Sequence, residues 1–195
     1  MRYFLIFLIT IGLIILVFII ILKAFSSAPS KPSSPLTDYS NTSTVVELTI
    51  NGPVTNDQNH NSVQMIVGQT QNEINLIQGY QNDVISTKSY PNNSAAYGVF
   101  LRSIDFAGYR QGNSDPNLTD YRGYCPNGNI YIYQVLNGNN TIEQYWSTTC
   151  GNLGTFKGNS SLVLSLFEGQ FPDFGGITSN ANLATPPSTN NGLLL

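Results

Sequence analysis

From Tyr3 to Leu22 the chain reads YFLIFLITIGLIILVFIIIL, apolar throughout except for Thr10 and Gly12. About 20 apolar residues wound as a helix span a hydrocarbon core of ~30 Å. A cleaved signal peptide carries an apolar stretch of only about 7–15 residues. The length therefore favours an uncleaved transmembrane signal-anchor over residues 1–23, although Ala24-Phe25-Ser26 offers a small-residue cleavage site. The expected partner of residues 3–22 is the membrane.

Charge does not orient this segment. Arg2 precedes it, while Lys23 and Lys31 follow, and the positive-inside rule needs a clear Lys/Arg asymmetry. The short leader with its early Arg looks like a secretory signal-anchor. That implies a single-pass protein of the plasma membrane with its C-terminal domain outside the cytoplasm. No cysteine follows the run to accept a lipid. A pilin-like subunit also begins with an apolar helix, but no acidic residue sits early in this one, and no Gly-aromatic processing site precedes it.

Residues 24–43 form a stalk rich in Ser and Pro, with Pro29, Pro32 and Pro35. Such composition cannot bury a core, and proline stiffens it into an extended spacer. Residues 175–195 are similar in kind and read as a disordered tail. One folded domain is left, residues 44–174. Charged residues make up 10% of the chain, against ~25% in typical soluble domains. The formal net charge of −3 gives no basic footprint for nucleic acid. Asn, Gln, Ser, Thr and Tyr supply the polar surface instead. That suits a glycan- or protein-facing domain and equally suits an ordinary surface.

Within the domain, TVVELTI, SVQMIVGQ, NEINLIQGY and NDVISTKSY alternate and are separated by turn residues such as Asn51-Gly52-Pro53. They read as a four-strand antiparallel meander. The period then changes. Tyr97, Phe100, Leu101 and Ile104 stand at i, i+3, i+4 and i+7, one face of a helix. Asn92, Asn93 and Ser94 are candidate N-caps, and Gly108 is placed to end the helix. After a long polar loop comes a hairpin, and then NSSLVLSLFEGQF, a helix capped by Asn159 or Ser160 and stopped before Pro172. This order implies an α+β fold: an antiparallel sheet, built from the four-strand meander plus a hairpin, with two helices packed on it.

The two cysteines, Cys125 and Cys150, flank the hairpin. Asn137-Gly138 is a strong two-residue turn signal. A turn there places Leu136 opposite Asn139 and Cys125 opposite Cys150. A non-hydrogen-bonded pair has Cα atoms ~4.5 Å apart, within disulfide range. Pro126 and Gly128 weaken regular pairing at that end, and Asn139-Asn140 is a competing turn that would shift the register. A redox pair favours Cys-x-x-Cys spacing, and zinc needs four ligands. A structural disulfide is the remaining reading, consistent with an oxidising compartment. The same register puts Tyr131, Tyr133, Val135, Ile142 and Trp146 on the disulfide's face, and Ile130, Ile132, Leu136 and Tyr145 on the other. Tyr131, Tyr133 and Trp146 are either core or an exposed aromatic binding patch.

Chemistry-bearing motifs are scarce. His60, the one histidine, lies in the polar stretch NDQNHNS and reads as solvated, and no G-x-S-x-G elbow accompanies it. Glycosidase chemistry needs two carboxylates about 5–10 Å apart, which sequence cannot pair. Asn113, Asp115, Asn117 and Asp120 are spaced oxygen ligands of the calcium-loop kind. Pro116 interrupts them, so an Asx-rich turn is the competing reading. No catalytic, metal or cofactor site is expected.

The segments LIQGYQNDVISTKSYPNNSAAYGVFLRSIDFAGY and YWSTTCGNLGTFKGNSSLVLSLFEGQFPDF resemble an uncharacterised family. Its members are single-span-anchored extracytoplasmic domains of very small, host-dependent bacteria. The resemblance runs over residues 44–174, including a Cys-Pro before the hairpin and a Trp-Ser-Thr-x-Cys after it. It implies location and domain extent and no activity. The expected function is a membrane-tethered, non-enzymatic surface domain binding an unknown extracellular protein or glycan. The rival expectations are a cell-envelope hydrolase using paired carboxylates and a structural subunit of a surface assembly.

Overall fold

The computed structural model describes residues 11–16, 35–41, 43–113, 115–151, 153–179, 181 and 183. The chain divides into two compact units, residues 1–30 and 31–195. In the first, residues 11–16 are helical and exposed. The rest of the expected span Tyr3–Leu22 lies outside the described residues. Among the described residues no helix is long and apolar enough to cross a membrane.

The second unit is α+β. Its strands are β1 (Thr44–Asn51), β2 (Asn61–Val67), β3 (Gln71–Gln78), β4 (Asp83–Pro91), β5 (Ile130–Asn137) and β6 (Asn140–Thr148). The meander and the hairpin are not separate. They form one six-stranded antiparallel sheet in the order β4-β3-β2-β1-β5-β6. The join is β1, which pairs with β2 from Val46 to Asn51 and with β5 from Thr44 to Asn51. Its alternation accounts for this central position. Val46, Leu48 and Ile50 point to one face and are buried, while Glu47, Thr49 and Asn51 point to the other.

Helix α1 (Ser94–Phe106) covers the apolar face with Tyr97, Phe100, Leu101 and Ile104, the four positions its periodicity marks. The side chain of Asn93 caps it by accepting from Ala96 N at 3.0 Å. Gly108, at φ +82°, lets the chain leave the helix, and Tyr109 N donates back to Ile104 O. Helix α2 (Ser160–Glu168), capped by Asn159, adds Val163 and Phe167 to the same core. Fully burying an aliphatic or phenyl side chain of this kind contributes roughly 1.5–3 kcal/mol. A third, short helix, α3 (Phe174–Thr178), was not expected from sequence. The core also takes in Leu36, Ile177 and Ala181, all outside the 44–174 span. Isolated apolar side chains in Ser-, Pro- and Gly-rich segments have no period to announce them.

The hairpin departs from its expected register. Asn137 faces Asn140, and the turn is Gly138-Asn139, with Gly138 at φ +58°. A bulge then interrupts pairing at Val135/Leu136. Ile132, expected to face Glu143, faces Trp146 instead. A bulge inserts one residue into one strand only, so side chains beyond it change face. Tyr131, Tyr133 and Val135 therefore join the helix-side core, whereas Ile130, Ile132 and Trp146 pack with Cys125 in a second cluster.

Cys125 and Cys150 are bonded, with Cα atoms 5.6 Å apart. They do not meet as a paired rung of the sheet. Asn129 takes the place opposite Thr149, with Thr149 N donating to Asn129 O. A tight turn closed by Gly128 N to Cys125 O folds Cys125 back. Gly128 permits this turn: a Cβ there would stand 2.3 Å from Thr149 Oγ1 and 2.7 Å from Cys125 Sγ.

Candidate functional site

Helices cover one face of the sheet. The other carries a row of hydrogen-bonding side chains, amides and hydroxyls around the carboxylates of Glu47 and Glu73, that runs across the strands. Glu47 on β1 accepts from Gln64 Nε2 on β2 at 2.9 Å and from Thr49 Oγ1 at 3.0 Å. Asn75 on β3 donates to Gln64 Oε1 at 3.0 Å and to Glu73 at 2.8 Å, and accepts from Thr87 on β4. Across β5 and β6, Gln134 donates to Gln144 at 2.8 Å. Glu47 is only 6% exposed. Its carboxylate fits this setting because two donors satisfy it.

Two adjoining cavities open on this face. The first, about 350 Å³, is bounded by the β1–β2 loop, the β3–β4 turn and the stapled loop before β5. The second, about 340 Å³, lies over the polar row and includes Glu47, Thr49, Gln64 and Gln134. Asn51, Ser62, Asn82 and Tyr121 line both, so they form one continuous depression. The disulfide fixes one wall. Cys125 and Pro126 line the first cavity, and Val54 N donates to Pro126 O at 2.8 Å, tying that loop to the one after β1.

His60 is not solvated as its polar neighbours suggested. It is 3% exposed and stacks on Tyr80, ring centroids 4.2 Å apart. Its Nδ1 lies 3.0 Å from Pro53 O. Tyr80 is pinned in turn: its hydroxyl donates to Thr55 O and its backbone N donates to Asp57 Oδ1. The cation at the rim, Arg122, makes paired bonds to Asp120, whose carboxyl those bonds hold at about 2.

Of the two readings of Tyr131, Tyr133 and Trp146, core or exposed patch, the structure places all three in core clusters. Tyr131 (8% exposed) and Tyr133 (1%) lie under the helices, and Trp146 (1%) lies on the opposite face. Tyr133 stacks on Phe156, and burial pushes its phenol up to about 12. Trp146 Nε1 donates to Leu118 O at 2.7 Å beneath the loop that covers it. The sheet around Tyr131, Tyr133 and Trp146 is therefore covered on both faces by the protein itself, while Gln134 further along β5 lines the second cavity.

The Asx-rich loop is held by local bonds. Asp115 Oδ1 accepts from Asn117 N and Nδ2, and Asp120 pairs with Arg122. Among the described residues no group of three or more His, Cys, Asp or Glu side chains is placed to hold a metal ion. Glu143, which lines a third hollow with Asp115, is engaged by Arg110 Nε and Nη2.

Sequence reasoning passed over Glu47, Tyr80 and Tyr121. Glu47 carried a signal, since it shares the polar phase of β1 with Thr49 and Asn51. The other two sit in a turn and a loop, where no period exists to mark them. No known family model, curated protein or solved structure matches the chain.

Proposed function

We propose that this chain is a single-pass, plasma-membrane-anchored protein whose folded unit stands outside the cytoplasm and works as a non-enzymatic binding module. Its ligand is neutral and rich in hydrogen-bonding groups, as a glycan is. One observation carries the reading: the sheet face left open by the helices bears a pre-ordered row of amides and hydroxyls, which occupy Glu47 and Glu73 as their acceptors, beside a depression walled by aromatic rings. Small-molecule sites are concave and largely pre-formed, with a few placed polar groups. The long apolar run Tyr3–Leu22 and the disulfide support the location.

The test has two parts. In intact cells, an impermeant thiol reagent is expected to label Cys125 and Cys150 only after reduction. The full-length chain in lipid nanodiscs is then applied to immobilised glycans, with hydrogen exchange read on the bound state. Protection is expected in β1, β2 and β5 residues of the open face. Free thiols reactive only after lysis would remove the location. Absence of saturable binding, or protection confined to α1 and α2, would remove the ligand reading.

A further inference from the structure

The first cavity contains a polar atom that the fold leaves without a partner. Pro53 O can only accept, so the 3.0 Å contact fixes the proton on His60 Nδ1. Nε2, across the ring, is then a lone-pair acceptor in the neutral imidazole. It has no hydrogen-bond partner among the described residues and is not sealed from solvent, although the residue as a whole is 3% exposed; His60 lines the cavity. The stack on Tyr80 and the Pro53 bond hold the ring, so Nε2 cannot readily turn elsewhere.

Its surroundings narrow what satisfies it. Asn51 Oδ1 already accepts from Ser62 Oγ at 2.7 Å, which leaves its Nδ2 as a donor beside the same cavity. Tyr80 and Tyr121 supply ring surface at the rim, and Pro126 supplies an apolar wall. Arg122 is matched by Asp120, and no carboxylate is among the residues that line the cavity. Glu47, the one carboxylate lining the depression among the described residues, lies in the second cavity, where Gln64 and Thr49 donate to it. A volume of about 350 Å³ stands at the small end of ligand pockets.

We infer that this cavity is a carbohydrate subsite that takes one pyranose ring of an uncharged sugar, with a ring hydroxyl donating to His60 Nε2. A hydroxyl both donates and accepts, so neighbouring hydroxyls satisfy Nε2 and Asn51 Nδ2 together, while the C–H face of the ring packs on the tyrosines. The inference rests on the binding-module reading and gives it a site and a ligand class.

The experiment uses the full-length chain, without a histidine tag, in lipid nanodiscs, since maltoside detergents would compete. Methyl glycosides of glucose, galactose, mannose and N-acetylglucosamine are titrated, with sodium glucuronate as the anionic arm. His60 is the only histidine, so ¹⁵N-imidazole spectra report one ring. At least one methyl glycoside is expected to move the Nε2 resonance saturably. His60→Phe, which keeps a ring on Tyr80, is expected to weaken that binding about tenfold, and His60→Gln, which keeps an acceptor, by about threefold or less. The wild-type Nε2 shift decides the matter even if a variant folds poorly. Glycoside binding with Nε2 unmoved would overturn this site and leave the module reading standing. No binding of any probe would overturn both. Tighter binding of glucuronate than of the neutral glycosides would replace the ligand class and overturn the proposal.

Discussion

Replacing Tyr109 by Phe removes one oxygen from the seam where the meander joins the hairpin. The hydroxyl donates to Glu47 O on β1 at 2.5 Å and accepts from Gln134 N on β5 at 3.1 Å. Tyr109 is 1% exposed, so water cannot take its place. The ring remains, edge-on to Tyr133 and stacked on Phe167, so no cavity opens around it. The cost is therefore that of one buried backbone N–H and one carbonyl each losing the hydroxyl as a partner. Leaving a buried group unsatisfied costs ~1–3 kcal/mol, and with both groups affected we expect about 2–3 kcal/mol. Tyr97→Phe is the control. It loses one bond to Thr44 O at 2.8 Å and takes one donor from a single carbonyl, for about 1 kcal/mol. Urea unfolding of the full-length chain, followed by the emission of Trp146, the single tryptophan, reads both variants. Tyr109→Phe should lower the midpoint by about 1 M with an unchanged slope. If it lowers stability no more than Tyr97→Phe does, the hydroxyl does not hold the seam and the reasoning fails.

Three further outcomes are expected. Reducing Cys125–Cys150, or replacing both by Ser, opens a loop with a sequence separation of 25; chain entropy then predicts a loss of about 3.5 kcal/mol, and an unchanged urea midpoint would refute it. Burial raises the phenols of Tyr97, Tyr109, Tyr131, Tyr133 and Tyr145 above the ordinary 10.0, Tyr133 to about 12. The folded state holds these protons while the unfolded state releases them, so the stabilisation is intact below pH 10 and is lost as pH rises toward 12. Phenolate absorbance from these residues should rise only as Trp146 emission shifts; ionisation of all the tyrosines with that emission unchanged would contradict it. Finally, Gly112→Ala would set a Cβ 2.0 Å from the Tyr145 ring, and overpacking of this kind costs about 2 kcal/mol. A melting temperature equal to wild type would show that the ring moves freely.

The elements with a long period were legible. Helix α1 buries Tyr97, Phe100, Leu101 and Ile104 because a 3.6-residue repeat has few other solutions. Asn93 and Asn159 cap their helices as short polar side chains before apolar runs should. The cysteine pair was legible from elimination and spacing. Register was not. Moving the turn from Asn137-Gly138 to Gly138-Asn139, and adding the bulge at Val135/Leu136, shifts the partner of Ile132 from Glu143 to Trp146. Both steps cost little locally, and only packing against two covered faces selects between them. The depression was illegible for a related reason. His60 is buried by Tyr80 and Pro53, which reach it through two different turns, and a polar neighbourhood in sequence says nothing about neighbours in space.

The central place of β1 bears on how the molecule carries a load. Tethered through its first residues as proposed, the chain delivers any pull on the folded unit first to Leu36, buried in the core, and then to Thr44, the first residue of β1. That strand is paired on both sides through Asn51. A force along its axis must shear two antiparallel ladders together, not peel one bond at a time. Lifetime under force follows the unfolding rate, so this arrangement favours a slow release. The disulfide sets a second limit. Were the sheet to give way, the 25-residue separation between Cys125 and Cys150 would stay closed, withholding about 85 Å of contour from the stretched chain. A ligand seated beside that loop would be held by the part of the protein that cannot be drawn out.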